Sequence, residues 1–191
     1  MQFQDFFGST IERHPPVIVV CDSPLRGYHG TSASKAESIL KGGFEGYEGR
    51  AGWGVYFFEG GENAFKAAKE FTTAKCKSHG DSQAVVIEST IRVRKVLDLD
   101  SADNNEFVSK MHRQIRKWIL QHRPRDRWMQ HDHYIGFVVQ KCIGHVRGLD
   151  ALDAIRTSFS YSDGFDIERG IVVLDPKNAV ENKVVLGLAS C

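Results

Sequence analysis

Strand-forming runs early and late in the chain, with long helical periodicities between them, predict an α+β fold in which two small antiparallel sheets face each other across a cleft and helices pack around them. No Pro/Gly/Ser-rich linker, internal repeat or low-complexity stretch divides the sequence, so residues 1–191 are expected to form a single domain with a helical insert at about 104–147. The 41% hydrophobic content is enough for one globular core in a chain of 191 residues.

Residues 1–16 close with His14-Pro15-Pro16, and the prolines end a loose or short-helical lead-in. Val17–Cys21 is a β-branched run bounded by Asp22-Ser23-Pro24, and Leu25–Tyr28 is a second extended piece running into His29. Ser34–Leu40 has apolar Ala36, Ile39 and Leu40 between charged Lys35, Glu37 and Lys41, a short amphipathic helix that Gly42-Gly43 ends. Gly54–Phe57 is a strand, and Asn63–Phe71 puts Phe65, Ala68 and Phe71 on one face of a second helix. Lys75–Ser82 is polar, contains His79-Gly80-Asp81 and is expected to be a loop. Ala84–Leu99 alternates at Val85, Ile87, Ser89, Ile91 and Val93, predicting one or two long strands.

Within the insert, Asn104–Gln121 spaces Phe107, Met111, Ile115, Trp118 and Ile119 at helical intervals until Pro124, and Tyr134–Val146 repeats the pattern. Asp150–Arg156 is expected to be a short helix or turn and Thr157–Tyr161 a short strand. Ile171–Leu174 is a strand closed by Asp175-Pro176, and Val184–Leu188 is the last one.

A net charge of +1 excludes a uniformly basic or acidic surface. Apolar runs such as Val17–Val20 are too short to span a bilayer, and Met1–Asp5 lacks the basic and apolar regions of a signal peptide, so a soluble, cytoplasmic protein with no membrane partner is expected. Cys21, Cys76, Cys142 and Cys191 are scattered without paired spacing, and His131 and His133 have no third ligand at a metal spacing; no disulfide framework and no metal are expected.

Two motifs stand out, His29-Gly30-Thr31 at a strand end and Gly54-Val55-Tyr56-Phe57 in the next strand, joined by a helix and a glycine-rich connection. Their order and spacing resemble the His-Tyr-Glu branch of the ADP-ribosyltransferase superfamily, which includes poly(ADP-ribose) polymerase catalytic domains and diphtheria-toxin-like enzymes. The resemblance extends to Phe165–Val173, which would supply the glutamate strand through Glu168. It implies an ADP-ribosyltransferase-like fold with NAD as co-substrate in the cleft. Glu88-Ser89-Thr90 is similar to the serine strand of the superfamily's Arg-Ser-Glu branch, though the Tyr56 motif argues against that branch.

Transfer of ADP-ribose breaks the glycosidic C–N bond to nicotinamide through an oxocarbenium-like state. A carboxylate about 4 Å from the developing charge, at an effective dielectric near 20, contributes about 4 kcal/mol, roughly a thousandfold in rate. By resemblance Glu168 has this role, and also orients or deprotonates the incoming nucleophile. The same resemblance assigns His29 to a ribose hydroxyl. Gly30, lacking a side chain, lets its backbone approach the nicotinamide amide; Thr31 and Ser32 offer hydroxyls to it, and Tyr56 offers a π face to the ring. Tyr28 and Phe65 are candidates for a second wall, where the polymerase pattern has a second tyrosine on the following helix.

Lys110–Trp128 carries Lys110, Arg113, Arg116, Lys117, Arg123, Arg125 and Arg127 against the single acid Asp126, interleaved with Trp118 and Trp128. Phosphate attraction with aromatic stacking is the footprint of single-stranded nucleic-acid binding, so Arg116, Arg123, Arg125, Arg127 and Trp128 are the candidate acceptor contacts. The competing reading is a solvated amphipathic helix with Trp118 in the core. Arg92, Arg94 and Lys95 form a second basic element, suited to a pyrophosphate or to the acceptor surface. The expected function is mono-ADP-ribosyl transfer from NAD, with RNA or single-stranded DNA favoured over protein. A small single-domain chain of this kind is similar to the intracellular toxins of toxin–antitoxin and phage-defence systems, which implies an antitoxin partner. An NAD glycohydrolase and a non-catalytic NAD or ADP-ribose binding module are the alternatives.

Overall fold

A computed structural model describes residues 16–49, 51–80, 83–107, 109–110, 113, 152–161 and 166–190. The chain passes through β1 (Ile18–Val20), β2 (Leu25–Ser32), helix α1 (Ala33–Gly42), β3 (Tyr47–Gly49), β4 (Gly52–Glu59), helix α2 (Glu62–His79), β5 (Gln83–Ile91), β6 (Lys95–Asp98), β7 (Ala154–Tyr161), β8 (Asp166–Val173), helix α3 (Pro176–Ala179) and β9 (Val180–Ser190). The class is α+β, as the strand and helix patterns predict.

The strands form one mixed sheet in the order β1-β6-β7-β8-β4-β2-β5-β9, with β3 paired to β4 off this path, rather than the two separate antiparallel sheets expected. The sheet nevertheless has a narrow seam at its centre. β2 pairs with β5 over its whole length, from Leu25–Ile91 to Ser32–Ala84, but meets β4 only at Gly27–Glu59 and Tyr28–Phe58. Beyond Tyr28, β2 follows β5 while Val55–Phe58 follow β8. The backbone of His29 onward therefore has its ladder partner on one side only, and the space opposite is open for a cavity.

Helices cover both faces, so the alternation at 84–99 belongs to strands buried on both sides. On one face Val55, Phe57, Val85, Ile87, Ile91, Ile171 and Val173 pack with Ala36 of α1, with Ile39 at the cluster's margin. On the other, Tyr28, Phe58 and Val86 pack with Ala64, Ala67 and Ala68 of α2. At about 25 cal/mol per Å², burial of such side chains dominates the stability of the sheet.

Four expectations change. Residues 75–79, expected as loop, continue α2, because the buried stripe Ala64, Ala67, Ala68, Thr72, Cys76 keeps helical spacing to the end. Gly80, at φ 73°, then caps the helix with its N–H on the Cys76 and Lys77 carbonyls. Residues 154–156, expected as helix or turn, begin β7, drawn into the sheet by parallel pairing of Ala154, Ile155 and Arg156 with Val96, Leu97 and Asp98. Pro176–Ala179 is a short helix with proline in its first turn, and β9 starts at Val180 rather than Val184. Ala84–Leu99 resolves into β5 and β6. The helix expected from Asn104 is described at residues 102–107, where the Asn104 amide bonds the Val17 and Asp98 carbonyls and ties it to the sheet; Tyr134–Val146 lies outside the described residues.

A buried ion-pair network crosses the sheet on the β4–β8 side. Arg156 on β7 forms a bidentate pair with Glu59 on β4, both contacts at 2.6 Å, and Asp98 on β6 accepts from Arg169 on β8 at 2.7 Å while lying 3.8 Å from Arg156. No described helix is long and apolar enough to cross a membrane.

Candidate functional site

At the parted seam lies a cavity of about 1,030 Å³, the upper end of the range for small-molecule sites. Its walls come from His29–Ser32 of β2, one side of α1, the connection through Phe44 to Tyr47, Tyr56–Phe58 of β4, the last two turns of α2 and Phe159 of β7.

His29 is the centre of this arrangement. Its Nδ1 lies 2.8 Å from the Tyr56 carbonyl, bridging the gap where β2 and β4 no longer pair. A carbonyl only accepts, so Nδ1 carries the proton and Nε2 of the neutral ring is an acceptor. Burial pushes the imidazole down to about 4, against the opposing pull of the Tyr56 carbonyl, and the charges of Lys75 and Lys35 push it the same way. Phe44 and Phe57 hold the ring edge-on, with centroids 5.2 and 5.7 Å away. The result is a fixed neutral imidazole at neutral pH that can receive a hydrogen bond from a ligand hydroxyl.

Gly30 has a reason beyond access. A Cβ there would stand 2.7 Å from the Ala68 carbonyl and from Thr72 Cβ, so the glycine lets α2 seat directly on β2. Thr72 then donates its hydroxyl to the Thr31 carbonyl at 3.2 Å. Thr31 and Ser32 are buried and line the cavity, and the Ser32 hydroxyl is 3.3 Å from that of Ser34.

Tyr56 presents its ring to the cavity while its hydroxyl is committed elsewhere. The hydroxyl donates to the Gly52 carbonyl at 2.6 Å and accepts from the Ala51 N–H at 3.0 Å. Burial raises the phenol's pKa far above its ordinary value, so it stays protonated. One face of the ring is stacked by Tyr47, with centroids 5.1 Å apart and planes 28° from parallel, and Phe159 tilts against it at 5.5 Å.

The structure brings His29, Gly30, Thr31, Ser32 and Tyr56 together on the cavity wall. Tyr28 and Phe65 are not there. Successive strand residues face opposite ways, so Tyr28 turns to α2 and packs edge-on against Phe65, with centroids 5.8 Å apart. The second aromatic wall is Tyr47, and Phe44 lines the cavity against His29. Glu168, partly buried on β8, is the cross-strand neighbour of Phe159 and shares the register face of Tyr56, Phe58 and Val172, but does not itself line the cavity. Ser89 of the Glu88-Ser89-Thr90 segment is only 1% exposed, away from the cavity. Arg92 and Arg94 line a separate hollow of about 450 Å³ with Cys21, Asp153 and Asp175, where Arg92 pairs with Glu181. Arg116, Arg123, Arg125, Arg127 and Trp128 lie outside the described residues, as do His131 and His133. Among the described residues no group of three His, Cys, Asp or Glu gathers as a metal site.

Sequence reasoning missed Tyr47, Lys35 and Lys75. A signal for Tyr47 was present: it stands between Gly46 and Gly49, where a Cβ would come within 2.7 Å of Trp53 and of the Tyr56 ring. Glycines that close to an aromatic strand mark a loop folded flat upon it.

No sequence profile of a known family matches the chain, and no curated protein matches it. Among solved structures, a chain of the crystal structure of the M. tuberculosis MbcT–MbcA toxin–antitoxin complex is similar over 95% of this chain and 92% of its own, with 14% identity and a TM-score of 0.46. A likeness at that level carries no argument about fold or function.

Proposed function

We propose that this protein is a mono-ADP-ribosyltransferase that takes NAD as substrate and transfers ADP-ribose to RNA or single-stranded DNA, acting as a toxin restrained by a partner antitoxin. The observation that carries the reaction class is His29: a neutral imidazole held by the Tyr56 carbonyl, with Nε2 left as an acceptor, beside a stacked tyrosine pair in a cavity large enough for a dinucleotide. A ribose hydroxyl donates to Nε2. The nicotinamide ring enters between Tyr47 and Tyr56, which requires their centroids to open to about 7 Å, two contact distances of about 3.5 Å. Tyr47, 41% exposed and on the short side strand β3, is the ring that moves.

In the reaction the bond from ribose C1′ to the nicotinamide nitrogen breaks, and its electron pair neutralises the cationic ring. A nucleophile on the acceptor bonds to C1′, and its proton passes to a base. We assign that base, and the stabilisation of the oxocarbenium charge, to Glu168, the neighbour of Phe159 at the end of the cavity wall. The nucleic-acid acceptor rests on the basic, aromatic segment Lys110–Trp128; the toxin role and antitoxin rest on the resemblance of the His29 and Tyr56 motifs to a superfamily that includes toxins.

Adenylate-labelled NAD, given to a cell lysate that is then separated into RNA, DNA and protein, tests this. Label is expected in nucleic acid with the wild type, and about a thousandfold less with Glu168→Gln at nearly unchanged NAD affinity. Label in protein alone overturns the acceptor, nicotinamide release without label points to a glycohydrolase, and NAD binding without either points to a binding module.

A further inference from the structure

We infer that Lys35 on α1 and Lys75 on α2 form a clasp for a diphosphate, the bridge between the two halves of a dinucleotide lying in the His29 cavity. The inference rests on the proposal that this cavity takes such a ligand, and extends it to side chains that no motif pointed to.

The cavity wall is biased toward positive charge in a chain whose net charge is only +1: Lys35 and Lys75 face a single acid, Glu45. Several cations elsewhere have a carboxylate partner. Lys66 pairs with Glu70, Arg92 with Glu181, Arg26 with Glu88 and Arg169 with Asp98. Among the described residues neither Lys35 nor Lys75 has a carboxylate within ion-pair distance. Lys75 is held in place all the same, its Nζ 5.9 Å from the Tyr47 ring centroid and 5.8 Å from that of Phe71. Thr72, one helical turn earlier, anchors the same face of α2 to the Thr31 carbonyl. Lys35 stands in the first turn of α1, three residues after Ser32, on the opposite wall. Both ammonium groups lie close enough to His29 to disfavour its protonation. Two compact point charges on the helices that cover opposite faces of the sheet, one of them over the Tyr47 ring, match a ligand with two linked phosphates between ring systems. Arg92 and Arg94, the sequence's pyrophosphate candidates, line the other hollow and do not serve this cavity.

The test is calorimetric titration of the full chain with ADP, adenosine and a short single-stranded oligonucleotide, using wild type, Lys35→Ala, Lys75→Ala, the double variant and Lys75→Arg. Both lysines are exposed, and thermal melts check that the variants fold. ADP is expected to bind at least tenfold more tightly than adenosine. Each alanine variant should lose about tenfold of the ADP affinity with adenosine unchanged, the double variant about a hundredfold, and Lys75→Arg should keep most of it. Equal affinity for ADP and adenosine, or ADP binding indifferent to the lysines, overturns the clasp even if NAD is turned over. A lysine effect confined to the oligonucleotide also overturns it, in favour of an acceptor contact. Lysine-dependent ADP binding by a protein that never releases nicotinamide from NAD upholds the clasp while removing the transferase reading.

Discussion

At His29 a titratable ring is kept neutral by burial and by two nearby ammonium groups, and this makes the fold sensitive to acid. Its pKa falls from 6.5 in the unfolded chain to about 4 in the folded one. Between those values the unfolded chain binds a proton that the folded chain refuses. The stabilisation is therefore complete above pH 6.5 and is lost as pH falls toward 4. The difference between the two values corresponds to about 3 kcal/mol. Urea denaturation of wild type across pH 4–7 should show this loss, and His29→Asn, which keeps a donor for the Tyr56 carbonyl but does not titrate, should flatten the slope; an unchanged slope would assign the acid sensitivity to other groups. NAD affinity of the folded chain should hold down to pH near 4 and fall below it, because a protonated ring has no acceptor at Nε2.

Among the elements, β4 carries the most varied load. It donates Tyr56 and Phe57 to the cavity, pairs with β3 and β8, and through Glu59 anchors the buried Arg156 of β7. Glu59 and Arg156 are 12% and 8% exposed at their side chains, so either partner left alone would be a poorly solvated charge. Arg156→Ala should cost about 3–5 kcal/mol in chemical denaturation. The double replacement Arg156→Leu with Glu59→Leu should recover a large part of that, since an apolar pair has no charge to desolvate; a double variant as unstable as the sum of the single ones would deny the coupling. Close packing of β8 depends on Gly170 in the same way that β2 depends on Gly30. A Cβ at Gly170 would run into the Phe159 ring that closes the cavity wall.

For the whole molecule, the sheet acts as two halves held together at Gly27–Glu59 and Tyr28–Phe58, so the cavity is a product of topology more than of any one loop. Charge is distributed unevenly over this frame. With a net charge of +1, the cations concentrated in Lys110–Trp128 leave the rest of the chain close to neutral or mildly acidic. If that segment holds the acceptor, binding of a single-stranded RNA should weaken linearly with the logarithm of salt. Arg123→Ala, Arg125→Ala and Arg127→Ala together should reduce that slope by about 2, roughly 0.7 for each lost phosphate contact, without changing NAD affinity. An unaltered slope would return the segment to an ordinary solvated helix face.

Much of the fold and part of the site could be read from local sequence. The motifs at His29 and Tyr56, the helix between them, and the β-branched runs at Val17–Val20 and Ile171–Val173 are encoded in residues a few positions apart, where backbone propensity and hydrophobic period act directly. Even the turning of Tyr28 away from the cavity was implicit in strand alternation. Tertiary structure alone decided the rest. The parallel pairing of β6 with β7, the seam between β2 and β4, and the meeting of Tyr47 and Lys75 around His29 join segments that are not neighbours in the chain. Such contacts depend on which buried surfaces can pack together once loops have closed, and that balance of burial against chain entropy is a property of the assembled molecule.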